Sequence, residues 1–190
     1  VPHLYIWSSS VAAQGEEANL IAKGGYLSSG LFAIRNLVYL AIWLLFAWLF
    51  RRNSLRQDET RDPALSKASL KLAPAFLLLF AITFTLASFD LLMSLEPTWY
   101  STIFGVYCWA GLWQSGLAAI TIVVILLRRQ GALNGVVNRF HYHDLGKWLF
   151  AFAVFWTYIA FSQMMLIWYA NLPEEIEWMI HRMYTSWGAV

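Results

Sequence analysis

Of 190 residues, 59% are hydrophobic and 17% aromatic, while only 13% are charged. A soluble domain carries about 25% charged residues, so the composition excludes an ordinary water-soluble globular protein and points to an integral membrane protein. The net charge of +2 says nothing until the charges are located along the chain.

Residues 1–27 mix aromatic and polar side chains in His3-Leu-Tyr-Ile-Trp-Ser-Ser-Ser10, as at a membrane interface. Gly15-Glu-Glu17 and Lys23-Gly-Gly25 mark a loop, and His3 reads as an interfacial residue rather than a ligand. The first complete span is expected over about 28–50, interrupted by Arg35 and closed by Arg51-Arg52. A charged stretch to Pro63 follows and is expected to be a solvated loop. The second span is placed at about 72–95, with Pro74 in its first turn, and Glu96-Pro97-Thr98 makes a short turn.

The third span is expected over about 99–127 and ends at Arg128-Arg129. It carries the single cysteine, Cys108, which has no internal disulfide partner. The chain holds no Cys-x-x-Cys-His and no cysteine cluster to ligate haem c or an iron–sulfur centre. A polar connection with Gly131 and Gly135 leads to Asp144, the expected N-cap of a fourth span over about 145–170. Asn171-Leu-Pro173 ends that helix, and 172–190 reads as an amphipathic or interfacial piece leading into a truncated helix. Starting at Val1 without Met and ending at Trp187-Gly-Ala-Val190, the chain reads as part of a longer protein. The expected fold is therefore all-α, a polytopic transmembrane helical bundle with four complete spans.

Orientation follows from the distribution of cations. Arg51, Arg52, Arg56, Arg61, Lys67 and Lys71 follow span one, and Arg128, Arg129, Arg139 and Lys147 follow span three. No lysine or arginine lies in the turn after span two, and Glu174, Glu175 and Glu177 follow span four. Segments 51–71 and 128–147 are expected to be cytoplasmic, and 96–98 and 172–190 to lie on the outer side. No phosphate-binding glycine loop, zinc-binding His-Glu-x-x-His or nucleophile elbow is present. The basic segments lack the aromatic interleaving of a nucleic-acid surface.

Asp90 is the one carboxylate well inside an apolar run. A charge in lipid costs at least about 2.5 kcal/mol, so such a residue needs a partner or a water-filled cavity. Arg35, Asp90, Gln114 and Gln163 lie 14 to 19 residues from the nearest cytoplasmic cation of their own span. At about 1.5 Å per residue this sets all four at similar depth in the outer half of the membrane. On span two, Thr83, Ala87, Asp90 and Ser94 share a face suited to the bundle interior, and on span three Gly111, Ser115 and Ala119 offer close backbone approach, as do Ser101 and Gly105.

Two readings stand for this polar layer: a structural Arg35–Asp90 ion pair with the glutamines as interhelical hydrogen bonders, or a proton- or quinol-linked site. Glu96 extends the second reading outward, and Tyr158, Ser162 and Gln163 are candidates to line an internal path, against core packing as the simpler role. His141, His143, Asp144 and Lys147 are candidates for collecting protons on the cytoplasmic side. For the histidines the competing role is hydrogen bonding at a helix start, and for Lys147 it is reaching to the interface. Two histidines at i, i+2 do not define a metal site. Glu96, Trp99 and Tyr100 form an outer interfacial cluster, read either as an aromatic belt or as a docking surface for an external subunit.

Ser88-Phe-Asp-Leu-Leu-Met-Ser-Leu-Glu-Pro-Thr-Trp-Tyr-Ser-Thr-Ile-Phe-Gly-Val-Tyr107 and the block from His143-Asp-Leu-Gly-Lys-Trp to Asn171-Leu-Pro-Glu-Glu175 resemble the ActF-type membrane subunit of alternative complex III. Shorter matches are His3-Leu-Tyr5, Lys23 with Tyr26-Leu27, Phe32 with Arg35, and Ser54 with Gln57-Asp58. The resemblance implies a polysulfide-reductase-like (NrfD-like) helical bundle and a subunit of a quinol:electron-acceptor oxidoreductase of the bacterial inner membrane. It implies that this chain binds no cofactor itself, that quinol belongs to the complex, and that haem c and iron–sulfur clusters reside in outer partner subunits beside a homologous membrane subunit. It implies proton conduction or bracing as the role, with Arg35 and Asp90 as the internal charges.

Overall fold

A computed structural model describes Tyr5, Trp7 and residues 25–97 and 99–184. Most of the segment 1–27, Thr98 and 185–190 lie outside the described residues. Among the described residues, five helices follow in order: α1 (Ser29–Thr60), α2 (Pro63–Leu91), α3 (Phe104–Arg129), α4 (Arg139–Ala170) and α5 (Pro173–Tyr184). A 3₁₀ turn, Met93–Leu95, follows α2. No strand occurs among the described residues. The first four helices are long and apolar enough to cross a membrane, and their outward faces are lined with exposed Leu, Ile, Val and Phe. The fold is an all-α polytopic transmembrane one.

The helices are longer than the apolar runs that mark them. α1 continues ten residues past Phe50, so the charged stretch expected to be a loop is helix, and α2 begins at Pro63 rather than near 72. Only Arg61 and Asp62 form the turn. Hydropathy reports where the apolar slab ends, whereas a helix ends where its backbone is capped. Leu, Arg, Gln and Glu are good helix formers and carry α1 on into water. Arg61 then takes left-handed geometry, with φ 56° and its N–H bonded to the Gln57 carbonyl. The Asp62 carboxylate accepts from the Ala64 N–H at 2.9 Å, with Pro63 at the first helical position. Pro74 therefore lies inside α2 rather than in its first turn.

The third and fourth helices shift likewise. α3 starts at Phe104, leaving buried Trp99 and exposed Tyr100 in the connection before it. α4 starts at Arg139, six residues before the expected position, because Asn138 rather than Asp144 is the cap. The Asn138 side chain accepts from the N–H groups of Phe140 and His141, while the His141 ring meets the Asn138 N–H, a reciprocal capping box. Asn171, with φ 49°, ends α4. Pro173 opens α5, a helix of twelve residues over Pro173–Tyr184, and residues 185–190 of the expected 172–190 piece lie outside the described residues.

The chain divides into two compact units, Val1–Tyr100 and Ser101–Val190, each built on an antiparallel helix pair. In the first, Asn36, Tyr39, Trp43, Phe46, Phe50, Asn53 and Gln57 of α1 alternate steps of three and four, and none is exposed. Ser66, Ser69, Ala73, Phe76, Phe80, Thr83, Ala87 and Asp90 of α2 do the same. In the second unit the shielded residues include Tyr107, Gly111, Gln114, Ala118 and Thr121 of α3, and Leu149, Phe152, Trp156, Ile159 and Gln163 of α4. This spacing keeps one stripe of each helix facing its partner, as in coiled-coil packing.

Candidate functional site

The site is built at the end of α2, where Asp90 stands one residue before the last helical position. Three things make a carboxylate costly there. Its residue has no accessible surface at all, the surrounding faces are apolar, and the negative end of the helix dipole lies within the same turn. A cation with hydrogen-bond donors offsets this combination.

Arg35 on α1 supplies both. Its Nε donates to Asp90 Oδ2 and its Nη2 to Oδ1, each at 3.0 Å. This is the two-pronged arrangement in which guanidinium and carboxylate geometries match. The Tyr39 hydroxyl, one turn along α1, donates a third bond to Oδ2 at 3.2 Å. The remaining arm of the guanidinium, Nη1, donates to the Tyr26 carbonyl at 2.8 Å, and the Tyr26 ring lies 3.9 Å from the guanidinium carbon. The Arg35 side chain is 20% accessible, whereas that of Asp90 is fully enclosed.

The backbone around the carboxylate is satisfied in the same economical way. The last carbonyls of a helix have no intrahelical donor. Here the Tyr5 hydroxyl donates to the Leu91 carbonyl and the Trp7 indole N–H to the Ser94 carbonyl, each at 3.0 Å. Ser94 itself donates to the Asp90 carbonyl. The rings of Tyr5, Trp7 and Phe32 close over this end with centroids 5.2 to 5.4 Å apart. Burial first, and then the charge of Asp90, raises the pKa of the Tyr5 phenol. Burial, and then the nearby Asp90 carboxylate, push the Tyr26 phenol up to about 12. Both tyrosines therefore stay neutral across physiological pH.

Between this site and the far end of the hairpin the seam is aromatic. Phe84, Phe80, Phe76 and Phe46 or Phe50 follow one another with centroids 5.2 to 5.8 Å apart. Trp43 packs on Phe80 and Phe84 and bonds Thr83 Oγ1 at 2.9 Å. The α1–α2 seam thus offers Asp90 a packed apolar floor.

The other candidates are distributed differently. Gln163 is buried on α4 and its Nε2 donates to Ser101 Oγ at 3.3 Å, within the second unit. Gln114 is half-buried and makes no side-chain hydrogen bond among the described residues. Ser162 is half-buried, but Tyr158 is 63% exposed and lines an open apolar groove on α4 with Phe150, Val154 and Phe161. Tyr158 and Gln163 therefore occupy different faces of α4 and do not line one internal path. On α3, Gly111 makes a close approach, with the Trp156 indole 3.3 Å from where a β-carbon would stand, whereas Gly116 has open space. Ser115 and Ala119 are exposed, because their stripe drifts away from the α4 side.

His141 is committed to the α4 cap, and His143 and Asp144 are exposed on the helix. Asp144 pairs with Lys147 at 3.6 Å, with both side chains about two-thirds accessible. Such a pair is worth little in water. No group of three metal-ligating side chains is found among the described residues. Glu96 is half-buried at the turn after α2 and its carbonyl accepts from the Trp99 N–H at 3.1 Å.

Tyr39 is the residue that sequence reasoning missed. It stands four residues after Arg35, on the same helix face, and that spacing was the available signal. The chain matches no protein-family model and no curated protein.

Proposed function

We propose that this chain is a membrane subunit of a quinol:electron-acceptor oxidoreductase of the alternative complex III type, and that it serves as a membrane anchor whose Arg35–Asp90 pair locks the outer end of the first hairpin. The two long motif blocks ending at Tyr107 and Glu175 support the ActF-type assignment. The observation that carries the anchoring role is the completeness of the Asp90 shell: no accessible surface, two bonds from Arg35 and one from Tyr39. A carboxylate so enclosed holds two helices in one register and is poorly placed to exchange protons with water. Redox chemistry then belongs to partners, with haem c and iron–sulfur clusters in outer subunits and quinol bound elsewhere in the complex. The membrane is the bacterial inner membrane, with 51–71 and 128–147 on the cytoplasmic side.

Energy coupling is the second reading, and one observation favours it. Arg35 keeps an accessible edge and stands beside Tyr26, so a change at that edge can reach Asp90 through the guanidinium. Asp90→Asn in the purified, reconstituted complex separates the two readings. Anchoring predicts lower assembly yield with quinol turnover and proton uptake per assembled complex unchanged. Loss of proton uptake in a fully assembled complex overturns anchoring in favour of coupling. Purification of the assembly without haem c or iron–sulfur partners removes the complex assignment itself.

A further inference from the structure

The α1–α2 hairpin is longer than a bilayer is thick, and its surplus length carries its charges in order. The apolar run of α1 ends at Phe50 and that of α2 begins at Leu72. Beyond those points both helices continue, over 51–60 and 63–71, for about 15 Å at 1.5 Å per residue. They remain joined there: Asn53 Nδ2 donates to Ser69 Oγ at 3.2 Å, and Ser66 Oγ donates to Gln57 Oε1 at 2.8 Å. The hairpin leaves the apolar zone as a two-helix stalk.

Its charges separate by height. Arg51, Arg52, Arg56, Lys67 and Lys71 occupy the base with no acidic residue among them, and Asp58, Glu59 and Asp62 accompany Arg61 at the tip. All five base cations are exposed. None forms an ion pair with a carboxylate among the described residues. The highest of them, Arg56, stands six residues above Phe50, or about 9 Å. A headgroup layer adds roughly 5 to 8 Å to each side of the hydrocarbon, and arginine and lysine stems reach a few ångströms further. The five charges are thus at headgroup height. At the lower edge Arg52 lies over the half-exposed Trp48 ring, 5.0 Å from its centroid, an aromatic and a cation at the boundary where both are favoured.

We infer that the base of this stalk is a collar for the phosphates of anionic phospholipids. The occupant is a lipid and not a nucleic acid or acidic protein, because the run of cations without acids stops at headgroup height and the part that reaches into water, with Asp58, Glu59 and Asp62 against Arg61 alone, is net acidic. Basic residues at this level attract anionic lipid, and the attraction fades within a screening length.

The test uses the full protein in phosphatidylcholine vesicles with trace spin-labelled phosphatidylglycerol or phosphatidylcholine, and reads the fraction of each label held at the protein surface. Phosphatidylglycerol is expected to be enriched about five-fold at low salt, falling toward parity at about 1 M salt, where the screening length is about 3 Å. The collar variant with Arg51, Arg52, Arg56, Lys67 and Lys71 all changed to Gln loses most of the enrichment, and Asp58→Asn with Glu59→Gln at the tip retains it. Neutralising five cations can reorient a membrane chain, so Trp48→Leu, which keeps every charge, serves as the second variant and reduces the enrichment by about half. Equal retention of the two lipids at low salt, indifference to salt, or a collar variant identical to wild type overturns the inference. Inorganic phosphate that displaces the label beyond chloride at matched ionic strength overturns the lipid assignment as well, since the collar would then be a site for free phosphate.

Discussion

The two helical hairpins share a seam spacing but are fastened by different forces. Along α1–α2, directional bonds recur at four heights: Gln57–Ser66, Asn53–Ser69, Trp43–Thr83, and Arg35 with Tyr39 on Asp90. Along α3–α4 the rings dominate, with Tyr107 stacked on Trp156 and Trp109 edge-on to Phe152, and Gly111 giving room for the indole. The Gln163–Ser101 bond ties α4 to the connection before α3, and the Arg128 guanidinium of α3 stands 5.2 Å from the Tyr142 ring centroid of α4. Lipid tails are as apolar as leucine, so burial alone does not drive helices together in a membrane. The first pair meets that condition with bonds that specify register, and the second with shape. A slip of one turn leaves a charged Asp90 unpaired in the first hairpin, whereas in the second it repacks rings and breaks the neutral Gln163–Ser101 bond.

The sharpest way to break this contrast is to remove one partner of the ion pair. Arg35→Gln leaves a fully enclosed carboxylate without its cation, which costs about 3 to 5 kcal/mol. Asp90→Asn is expected to cost less, because the 20% accessible Arg35 can turn its edge toward water. Replacing both, Arg35→Met with Asp90→Leu, recovers much of the loss, since two apolar groups need no bonds. Thermal unfolding of the detergent-solubilised protein measures all three. A double variant no more stable than Arg35→Gln alone would show that the residues do not act as a pair.

The shape-fastened hairpin is probed at Gly111. A leucine there drives side-chain atoms into the Trp156 indole, which already stands 3.3 Å from an added β-carbon. Overpacking of this kind costs about 1 to 3 kcal/mol. Gly116, on the same helix, has nothing within 4 Å of an added β-carbon, so Gly116→Leu is the matched control and should leave the unfolding temperature near wild type. Equal losses at the two positions would mean that added bulk anywhere on α3 is harmful, and that the α3–α4 fit at Gly111 is not what is being measured.

What could be read in advance divides along the same physical line. Asp90 was legible because a lone charge in an apolar run demands an explanation, and Arg35 because both residues fall at one depth. Depth is only one coordinate. The same ruler placed Gln163 and Gln114 in one layer, yet Gln163 bonds Ser101 while Gln114 makes no side-chain bond among the described residues; a depth count carries no azimuth. Helix ends were misplaced where hydropathy was used to find them. The local capping signals, Asp62 before Pro63 and Asn138 three residues before His141, were in the chain and mark the real starts. The Tyr5 and Trp7 contacts to the end of α2 span more than 80 residues of sequence, and no local pattern announces them.

The smallest expected effect lies at the edge of the ion pair, and it reports on whether Tyr26 belongs to that cluster. Its phenol is pushed up to about 12, whereas in an unfolded chain it titrates near its ordinary value of about 10. Between those values the folded protein keeps the proton that the unfolded chain has lost. Stability from this group is therefore complete below about pH 10 and is lost as pH rises toward about 12. Tyr26→Phe keeps the backbone carbonyl that receives the Arg35 Nη1 bond and keeps a ring over the guanidinium, but removes the titrating hydroxyl. Unfolding temperatures of wild type and variant should run parallel below about pH 10 and converge or cross above it, with wild type falling faster. Because Tyr26 is nearly half exposed, solvent screening keeps the difference small. A wild-type phenolate that appears at the ordinary alkaline value in the ultraviolet absorbance of the folded protein would place Tyr26 outside the field of Asp90.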